Sequence, residues 1–282
     1  MTASPLRAVL ASTLMLAAPG RAADAPLRVS MIPTTDPSKM LRDAEPLVSR
    51  LEKATGRKVT LTIPQNYAAV VEAMVQGQVD VAHLGGFTFV QASKRAGAVP
   101  LVQRERDRQF HSKFITARDD VRSLADLAGK RFAFGDVNST SGHLMPAHFM
   151  RKEGVDPAVV DQAIYTGGHD ATALAVAERR VDAGALDEAV WERLTREGKV
   201  DAGKVHVFWT TPPFYDYLWA ARRDLDPAVA RKIAEAFLAL DPAKPEDRPV
   251  LELLSAKGRY LTVDAAAYAP LREAAMREGL LR

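Results

Sequence analysis

Three consecutive hydroxyl residues and a glycine, Ser139-Thr140-Ser141-Gly142, form the stretch of the chain that is best suited to binding chemistry. An apolar run at 131–135 precedes them and is typical of a strand. Apolar residues at near-helical spacing follow them as far as Met150. The hydroxyls are therefore expected at a helix N-terminus, where unpaired backbone N–H groups and the helix dipole favour an anion. Ordinary helix capping needs one hydroxyl, so three in a row favour an oxyanion site.

Two further segments, 83–88 and 167–172, join a strand to the start of a helix in the same way. Ligands of α/β sheets collect at such loops, outside the carboxyl ends of the strands. If these two loops converge with the loop at 135–142, backbone N–H groups and neutral hydroxyls surround the anion, and hydrogen bonds of this density can hold its charge. The pattern predicts a cage for a tetrahedral oxyanion.

Four single residues are candidates for the same cleft, and each has an ordinary structural alternative. His169 follows two glycines at a helix start and can offer a ring nitrogen to a ligand, or it can face solvent. Tyr67 opens a helix, so its phenol can reach the cleft or pack in the core. Asp187 and Asp216 stand at strand ends, where they could meet a ligand cation or a protonated oxyanion, although aspartates there are commonly caps or turn residues.

Nothing in the sequence indicates a metal site, a cofactor or catalysis. The other histidines are scattered, and His143 and His148 are five residues apart, which does not place them on one helix face. Ser139 or Ser141 could pair with His143 or His169 as nucleophile and base, but no Gly-x-Ser-x-Gly elbow is present. We therefore expect a binding protein with no metal and no cofactor, and keep a hydrolase as the weaker alternative.

The N-terminal segment 1–22 has the pattern of a secretory signal, with Arg7 ahead of an apolar run that ends in small residues. The run is far shorter than the ~20 residues that span a bilayer. Removing Arg7 and Arg21 lowers the formal net charge from +3 to +1 (3 − 2 = 1), which gives no reason to expect nucleic-acid binding. The chain has no cysteine, hence no disulfide and no lipid-anchoring thiol. We expect a periplasmic, monomeric protein.

The 282-residue chain is long for one domain and alternates strand patterns with helical ones, which indicates an α/β fold with largely parallel sheets. This alternation restarts after residue 116. The sequence therefore predicts two lobes joined by two hinge crossings, with lobe I formed by 27–115 and 213–282 and lobe II by 116–212.

At these residues the chain resembles the phosphonate-binding family of periplasmic solute receptors, the PhnD-like components of ABC importers. The most specific similarity runs from Phe134-Gly135 through Ser139-Thr140-Ser141-Gly142-His143 to Pro146, and the segments 67–74, 79–82, 103–114, 168–171 and 181–184 extend it over essentially the whole mature length. The resemblance implies a two-lobed type II periplasmic binding protein whose hinge closes on the ligand and which delivers that ligand to a membrane permease.

In that family the Ser-Thr-Ser hydroxyls hold the oxyanion together with the residues matching Tyr67 and His169, and the loop matching 85–88, with Phe87 and Thr88, forms the facing wall. Here that loop reads Gly-Gly-Phe-Thr, whereas many phosphonate binders have Gly-Pro and a tyrosine or serine. Asp216 lies where aminoalkylphosphonate binders place a carboxylate, and Asp187 matches their second acid only loosely. Phosphonate, phosphite and selenate stay open as ligands. A sensor kinase is the alternative partner to the permease.

Overall fold

The computed structural model describes residues 25–160 and 162–281, so the expected signal segment 1–22 lies outside the described residues. Two separate sheets, each flanked by helices, form the two lobes, which confirms the predicted α/β two-lobed fold. The sheet of lobe I contains the strands β1 (Leu27–Met31), β2 (Val59–Thr62), β3 (Val81–Leu84), β4 (Val99–Arg104), β10 (Leu218–Ala221) and β11 (Tyr260–Thr262). Their spatial order is β11-β4-β10-β3-β1-β2.

The sheet of lobe II has the order β7-β6-β8-β5-β9. Its strands are β5 (Ser112–Thr116), β6 (Arg131–Phe134), β7 (Gln162–Tyr165), β8 (Ala183–Asp187) and β9 (His206–Thr210). Both sheets are mixed: β1 pairs in parallel with β2 and β3, and β6 with β7 and β8, while the strands nearest the lobe crossings pair antiparallel. The carboxyl ends of the parallel strands therefore face the space between the lobes.

Helices cover the sheets, and several begin where a cleft-facing loop ends. They are α1 (Pro37–Arg42), α2 (Glu45–Thr55), α3 (Tyr67–Val75), α4 (Gly86–Ala96), α5 (Met145–Lys152), α6 (His169–Ala177), α7 (Glu188–Arg196), α8 (Pro227–Leu238), α9 (Arg248–Leu253) and α10 (Ala269–Arg277). Side-chain caps fix the starts of α3 and α7, since Asn66 accepts from the N–H of Ala69, and Asp187 from those of Ala189 and Val190. No helix of the described ranges is long and apolar enough to cross a lipid bilayer.

Each lobe has its own apolar core. One face of the first sheet packs against α3, α4 and α10, and its other face packs against α2, α8 and α9. The two faces of the second sheet bury smaller clusters, one under α6 and α7 and one around Phe114 and Phe132. The amphipathic patterns of the sequence thus produce two sheets that are covered on both sides, and the polar strand-end loops are left to face each other.

Two crossings connect the lobes, between β4 and β5 and between β9 and β10. They pair with each other at Phe110 and Phe214, whose backbone N–H groups and carbonyls exchange hydrogen bonds of 2.9 and 3.0 Å. The first crossing comes before Ser112 and not at 115–116, because Ser112–Thr116 pairs with β8 as a strand of the second sheet. An extended linker and a strand have the same apolar pattern in sequence, and only the pairing with β8 and β9 identifies Ser112–Thr116 as an inner strand of the second sheet.

Charged side chains hold the lobes together on both sides of the cleft. Arg106 lies 3.3 Å from both Glu188 and Glu192 of α7, and Lys257 lies 2.6 Å from Glu192. On the opposite side, Arg151 of α5 lies 2.8 Å from Glu278. The structure therefore shows the lobes in contact across the cleft.

A buried ion pair lies where the first crossing begins. Arg104 donates two hydrogen bonds of 2.6 Å to the carboxylate of Asp107 and a third, of 2.7 Å, to the carbonyl of Leu254. The side chains are 5% and 0% exposed, so neither charge has water to replace its partner. The pair ties the crossing to the segment that leads into β11.

We expect Asp107→Asn to lower the free energy of unfolding by about 3 to 5 kcal/mol, because it leaves the buried guanidinium without its counter-charge. Urea denaturation measures this change. Glu178→Gln breaks the exposed pair with Arg180 and is the matched control, with an expected loss of less than about 1 kcal/mol. Equal losses in the two variants would contradict the structural role of the hinge pair.

Candidate functional site

Three loops meet between the lobes, as the sequence predicts: the loop after β3, the loop after β6 and the loop after β7. A Cβ atom on Gly85 would lie 2.9 Å from the hydroxyl of Thr140, and a Cβ on Gly142 would lie 3.0 Å from the His169 ring. Helix starts at Tyr67, Gly86, Thr140 and His169 therefore share one small volume. The positive ends of these helix dipoles make this volume a favourable place for negative charge. The first N–H groups of Tyr67 and His169 are already engaged, by Asp136 and by the carbonyl of Thr34.

The three hydroxyls lie at the start of a π-helical turn, Thr140–Leu144, that continues into α5. Ser139 caps the turn, with its Oγ accepting from the N–H of Gly142 at 2.9 Å. Thr140 reaches across the cleft, where its Oγ1 accepts from the N–H of Phe87 at 3.0 Å. The Oγ of Ser141 is buried and has no hydrogen-bond partner among the described residues. One hydroxyl serves as cap, one bonds across the cleft, and the hydroxyl of Ser141 is left for a further contact.

Two glycines allow the loops to approach this closely. A Cβ on Gly142 would lie 2.9 Å from Ser139 Oγ and 3.1 Å from the Cα of Gly135, distances at which the backbone would have to move. The carbonyl of Gly142 accepts from the N–H of Gly135 at 2.8 Å, which joins the hydroxyl turn to the end of β6. The glycine of the motif is therefore required by packing.

His169 is completely buried and lies between two tyrosines. Its Nε2 lies 3.3 Å from the hydroxyl of Tyr67 in lobe I and 3.2 Å from that of Tyr217. Its Nδ1 accepts from the N–H of Asp187, so the neutral ring carries its proton on Nε2. Burial lowers the pKa of His169 and raises the pKa of both tyrosines well above their usual value. All three groups are therefore neutral and can donate a hydrogen bond.

Asp216 is the most perturbed carboxyl group of the site. It is completely buried, its Oδ1 accepts from the N–H of Gly86 at 3.1 Å, and its Oδ2 has no partner among the described residues. Burial raises the pKa of Asp216 to about 8. At neutral pH this side chain carries a proton and is a donor as well as an acceptor.

The structure places the other three candidates differently. The carboxylate of Asp187 caps α7, accepting from the N–H groups of Ala189 and Val190, which is the alternative role considered for it. The hydroxyl of Thr88 donates to the carbonyl of Gly85 in its own helix turn. Phe87 points its ring into the core and contributes its backbone N–H to Thr140. These three residues shape the wall of the site, and only Phe87 bonds across it through its backbone.

Sequence reasoning missed Tyr217, whose ring is held from several sides. The ring of His83 stacks on it at 5.4 Å with an interplanar angle of 6°, and the guanidinium carbon of Arg104 lies 4.8 Å from its centroid. Tyr217 looked like part of the strand that follows it, but β10 begins only at Leu218. A tyrosine directly after Asp216 at the end of a lobe crossing was the signal that could have found it.

Within 25–160 and 162–281, no lysine or arginine hydrogen-bonds to the hydroxyl turn, His169, Asp216 or the two tyrosines, and no cluster of metal-ligating side chains is found. The arginine nearest to the tyrosine pair, Arg104, lies behind the Tyr217 ring and is already paired with Asp107. A cavity of about 30 Å³ adjoins Tyr217 and Asp187, and His83 and Arg104 also line it. The site can thus bind an anion with a small substituent by neutral donors and helix dipoles.

Comparison with known proteins agrees with this geometry. The family model of the phosphonate-type periplasmic substrate-binding proteins of ABC transporters matches residues 29–268. The chain belongs to this family. It is the periplasmic substrate-binding component of a transporter, and not an enzyme.

Relatives of this family are similar to the chain over most of their length. The probable phosphite-binding protein PhnD1 of Prochlorococcus marinus is 28% identical over 261 residues, 88% of each chain. The phosphate-import protein PhnD of Mycolicibacterium smegmatis is 33% identical over 226 residues, 75% of this chain and 70% of the relative. The crystal structure of PhnD1 with methylphosphonate superposes with a TM-score of 0.84 and covers 90% of this chain and 98% of PhnD1.

The protonated state of Asp216 has a measurable consequence for stability. The folded, ligand-free protein keeps this proton up to about pH 8, whereas the ordinary carboxyl group loses it near pH 3.8. Folding thus retains a proton that the unfolded chain releases, so stability falls as pH rises from about 4 to about 8. We compare the free energy of unfolding of Asp216→Asn with that of the native protein. The variant's value minus the native value should rise by at least about 1 kcal/mol from pH 5 to pH 8.

Urea denaturation of both ligand-free proteins at the two pH values tests this expectation. Asp156→Asn, at an exposed carboxylate paired with Arg151, is the control and should show no comparable trend. A stability difference between Asp216→Asn and the native sequence that does not change with pH would mean that Asp216 is ionised in the folded protein.

Proposed function

We propose that the protein binds a small tetrahedral phosphorus oxyanion, such as phosphite or methylphosphonate, between its lobes and delivers it to the permease of an ABC importer. One observation carries the proposal: Ser141 Oγ and Asp216 Oδ2 are buried in the cleft without hydrogen-bond partners in the part of the chain that the structure describes. Buried polar groups are normally satisfied, and an unsatisfied one costs about 1–3 kcal/mol. An anion with several oxygens satisfies both atoms at once.

The donors of the site suit a phosphorus oxyanion. Ser141, Tyr67 and Tyr217 offer hydroxyls, and His169 offers its Nε2 proton. Asp216 adds a carboxyl proton whose pKa of about 8 makes it a good partner for a weakly acidic phosphorus oxyanion, because the two oxygens can share the proton. A sulfate oxygen is much less basic and accepts such a proton poorly. The site therefore favours phosphite or a phosphonate over sulfate.

The surroundings favour a small substituent on phosphorus. The adjoining cavity of about 30 Å³ has room for one or two heavy atoms. Arg104, which is paired with Asp107, lines that cavity together with Asp187, whose Oδ1 accepts from two backbone N–H groups. The names of the relatives, which include phosphite and methylphosphonate, agree with this ligand class.

Import by a permease is the role that we propose for the loaded protein. The sensor-kinase partner and the monomeric state that the sequence suggested stay predictions.

We expect Ser141→Ala to weaken phosphite binding by about 10- to 100-fold, because the substitution removes a hydrogen bond to a charged ligand in a desolvated site. Titration calorimetry of the purified protein against phosphite, methylphosphonate, phosphate and sulfate measures this loss and the order of affinities. Ser123→Ala, whose hydroxyl donates to Asp126 at an exposed turn of lobe II, is the control and should change the affinity by less than about threefold. Absence of binding to every phosphorus oxyanion would refute the proposed function.

The affinity of the native protein for phosphite, divided by that of Asp216→Asn, should be constant from about pH 6 to pH 8 and should fall by about tenfold per pH unit above pH 8. Below pH 8 the free protein already carries the Asp216 proton that the complex needs, whereas above it each complex must take a proton from solution. Asp216→Asn cannot lose that proton, so its binding, measured over the same range, corrects for the titration of phosphite itself. A ratio that rises above pH 8 would show that the ionised carboxylate is the binding form.

A further inference from the structure

The loop that leads from β6 into the hydroxyl turn is fastened to lobe I by two of its side chains. The Oδ1 of Asn138 accepts from the Nε2 of Gln91 at 2.9 Å, and the Oγ1 of Thr140 accepts from the N–H of Phe87 at 3.0 Å. Phe87 and Gln91 are four residues apart on α4, which makes them neighbours along that helix. The loop of lobe II therefore meets α4 of lobe I at two successive points.

These two points differ in their access to water. Thr140 is 2% exposed and lies next to Ser141 inside the cleft. Gln91 and Asn138 are only partly buried, and both line a surface groove of about 340 Å³. The bond between Gln91 and Asn138 thus lies at the outer edge of the cleft, outside the place where the anion is proposed to bind.

The loop connects this outer bond to the hydroxyl that is left for the ligand. Its own hydrogen bonds hold it in one shape: the N–H groups of Asn138 and Ser139 donate to the side chain and the carbonyl of Asp136 at 2.7 and 2.9 Å, and Ser139 Oγ accepts from Gly142. Ser141 follows Asn138 by three residues within this braced segment. A contact that holds Asn138 in place therefore also holds the Ser141 hydroxyl in place.

The bond spans the two lobes, since Gln91 belongs to lobe I and Asn138 to lobe II. It exists only while the lobes are together at this edge of the cleft. Both partners are neutral amides that reach water through the groove, so breaking their bond leaves no buried charge without a partner. Such a bond stabilises the closed arrangement modestly and can still open for exchange of the ligand.

We propose that Gln91 and Asn138 form a clasp at the outer edge of the cleft, as positioning residues that hold the hydroxyl turn against lobe I without touching the anion. This inference rests on the proposed function, because it concerns the affinity of that same site. The clasp stabilises the closed form and contacts no substituent on phosphorus. It therefore increases the affinity for each ligand of the site by the same factor.

The first test is a double-mutant cycle. Titration calorimetry gives the affinities for phosphite and methylphosphonate of the native protein, of Gln91→Ala, of Asn138→Ala and of the variant with both substitutions. Asn138→Ala keeps the backbone N–H that donates to Asp136, so the loop retains its internal hydrogen bonds. Gln76→Ala, at an exposed glutamine that ends α3, is the control and should change either affinity by less than about twofold.

Each single substitution should weaken the binding of both ligands by the same factor, about 3- to 10-fold, and the double variant should bind about as weakly as either single variant. Losses that multiply in the double variant would show that the two residues act independently. Native affinity in both single variants would show that the bond adds nothing. A changed ratio between the two ligands would show that one of the residues contacts the substituent. Each of these results would overturn the proposal.

A cross-link tests whether the ligand passes this edge of the cleft. Because the chain has no cysteine, Gln91→Cys combined with Asn138→Cys provides the only pair of thiols. After bridging by a short bis-methanethiosulfonate reagent, the protein should neither take up phosphite nor release phosphite bound beforehand, and a reducing agent should restore both. Free exchange in the bridged protein, with native binding intact, would refute the clasp alone. A native protein that binds no phosphorus oxyanion would refute the proposed function as well.

Discussion

Holding a buried negative charge without a buried cation is the physical task on which the rest of this structure depends. Neutral donors do this work: hydroxyls from both lobes, one imidazole N–H and a carboxyl group that burial keeps protonated. Each donor is fixed by a partner outside the site, as Asp187 fixes the tautomer of His169 and His83 fixes the plane of Tyr217. Prearranged dipoles of this kind bind an anion strongly because they need little reorganisation and compete with little water.

The two-lobed fold is suited to holding such an anion. A single sheet offers strand-end loops on one side of a ligand, whereas two sheets that face each other surround it. The crossings set how the loops of the two lobes lie against each other. The buried Arg104–Asp107 pair lies at the base of one crossing and under the ring of Tyr217, so the element that joins the lobes also positions part of the site.

Much of the fold and part of the site could be predicted from the sequence. The alternation of strands and helices identified both lobes, and the surplus of hydroxyls at one helix start identified the oxyanion turn. Tyr67 and His169 were expected in the cleft, and the structure brings them together with Tyr217. Local patterns cannot show which of several neighbouring polar groups is engaged elsewhere. Thr88 and Asp187 have the right chemistry but bond within their own helix turns, and this depends on backbone geometry that the sequence does not display.

Two features were beyond sequence reasoning because they arise from contacts between distant segments. The raised pKa of Asp216 comes from burial by both lobes, and no neighbour in sequence indicates it. Ser112–Thr116 belongs to the second sheet because β8, some 70 residues later, pairs with it. In each case, contacts with residues that are distant in sequence decide the role of the residue or segment, and the local sequence pattern does not show those contacts.

A crystal structure of the protein with phosphite tests the central claim most directly. The account requires phosphorus to lie between the hydroxyl turn and His169, with oxygens within about 3 Å of Ser141 Oγ, Asp216 Oδ2 and His169 Nε2. It also requires that no arginine or lysine contact the anion. Phosphite bound to lysine or arginine side chains outside this site, with Ser141 and Asp216 left unpaired, would contradict it.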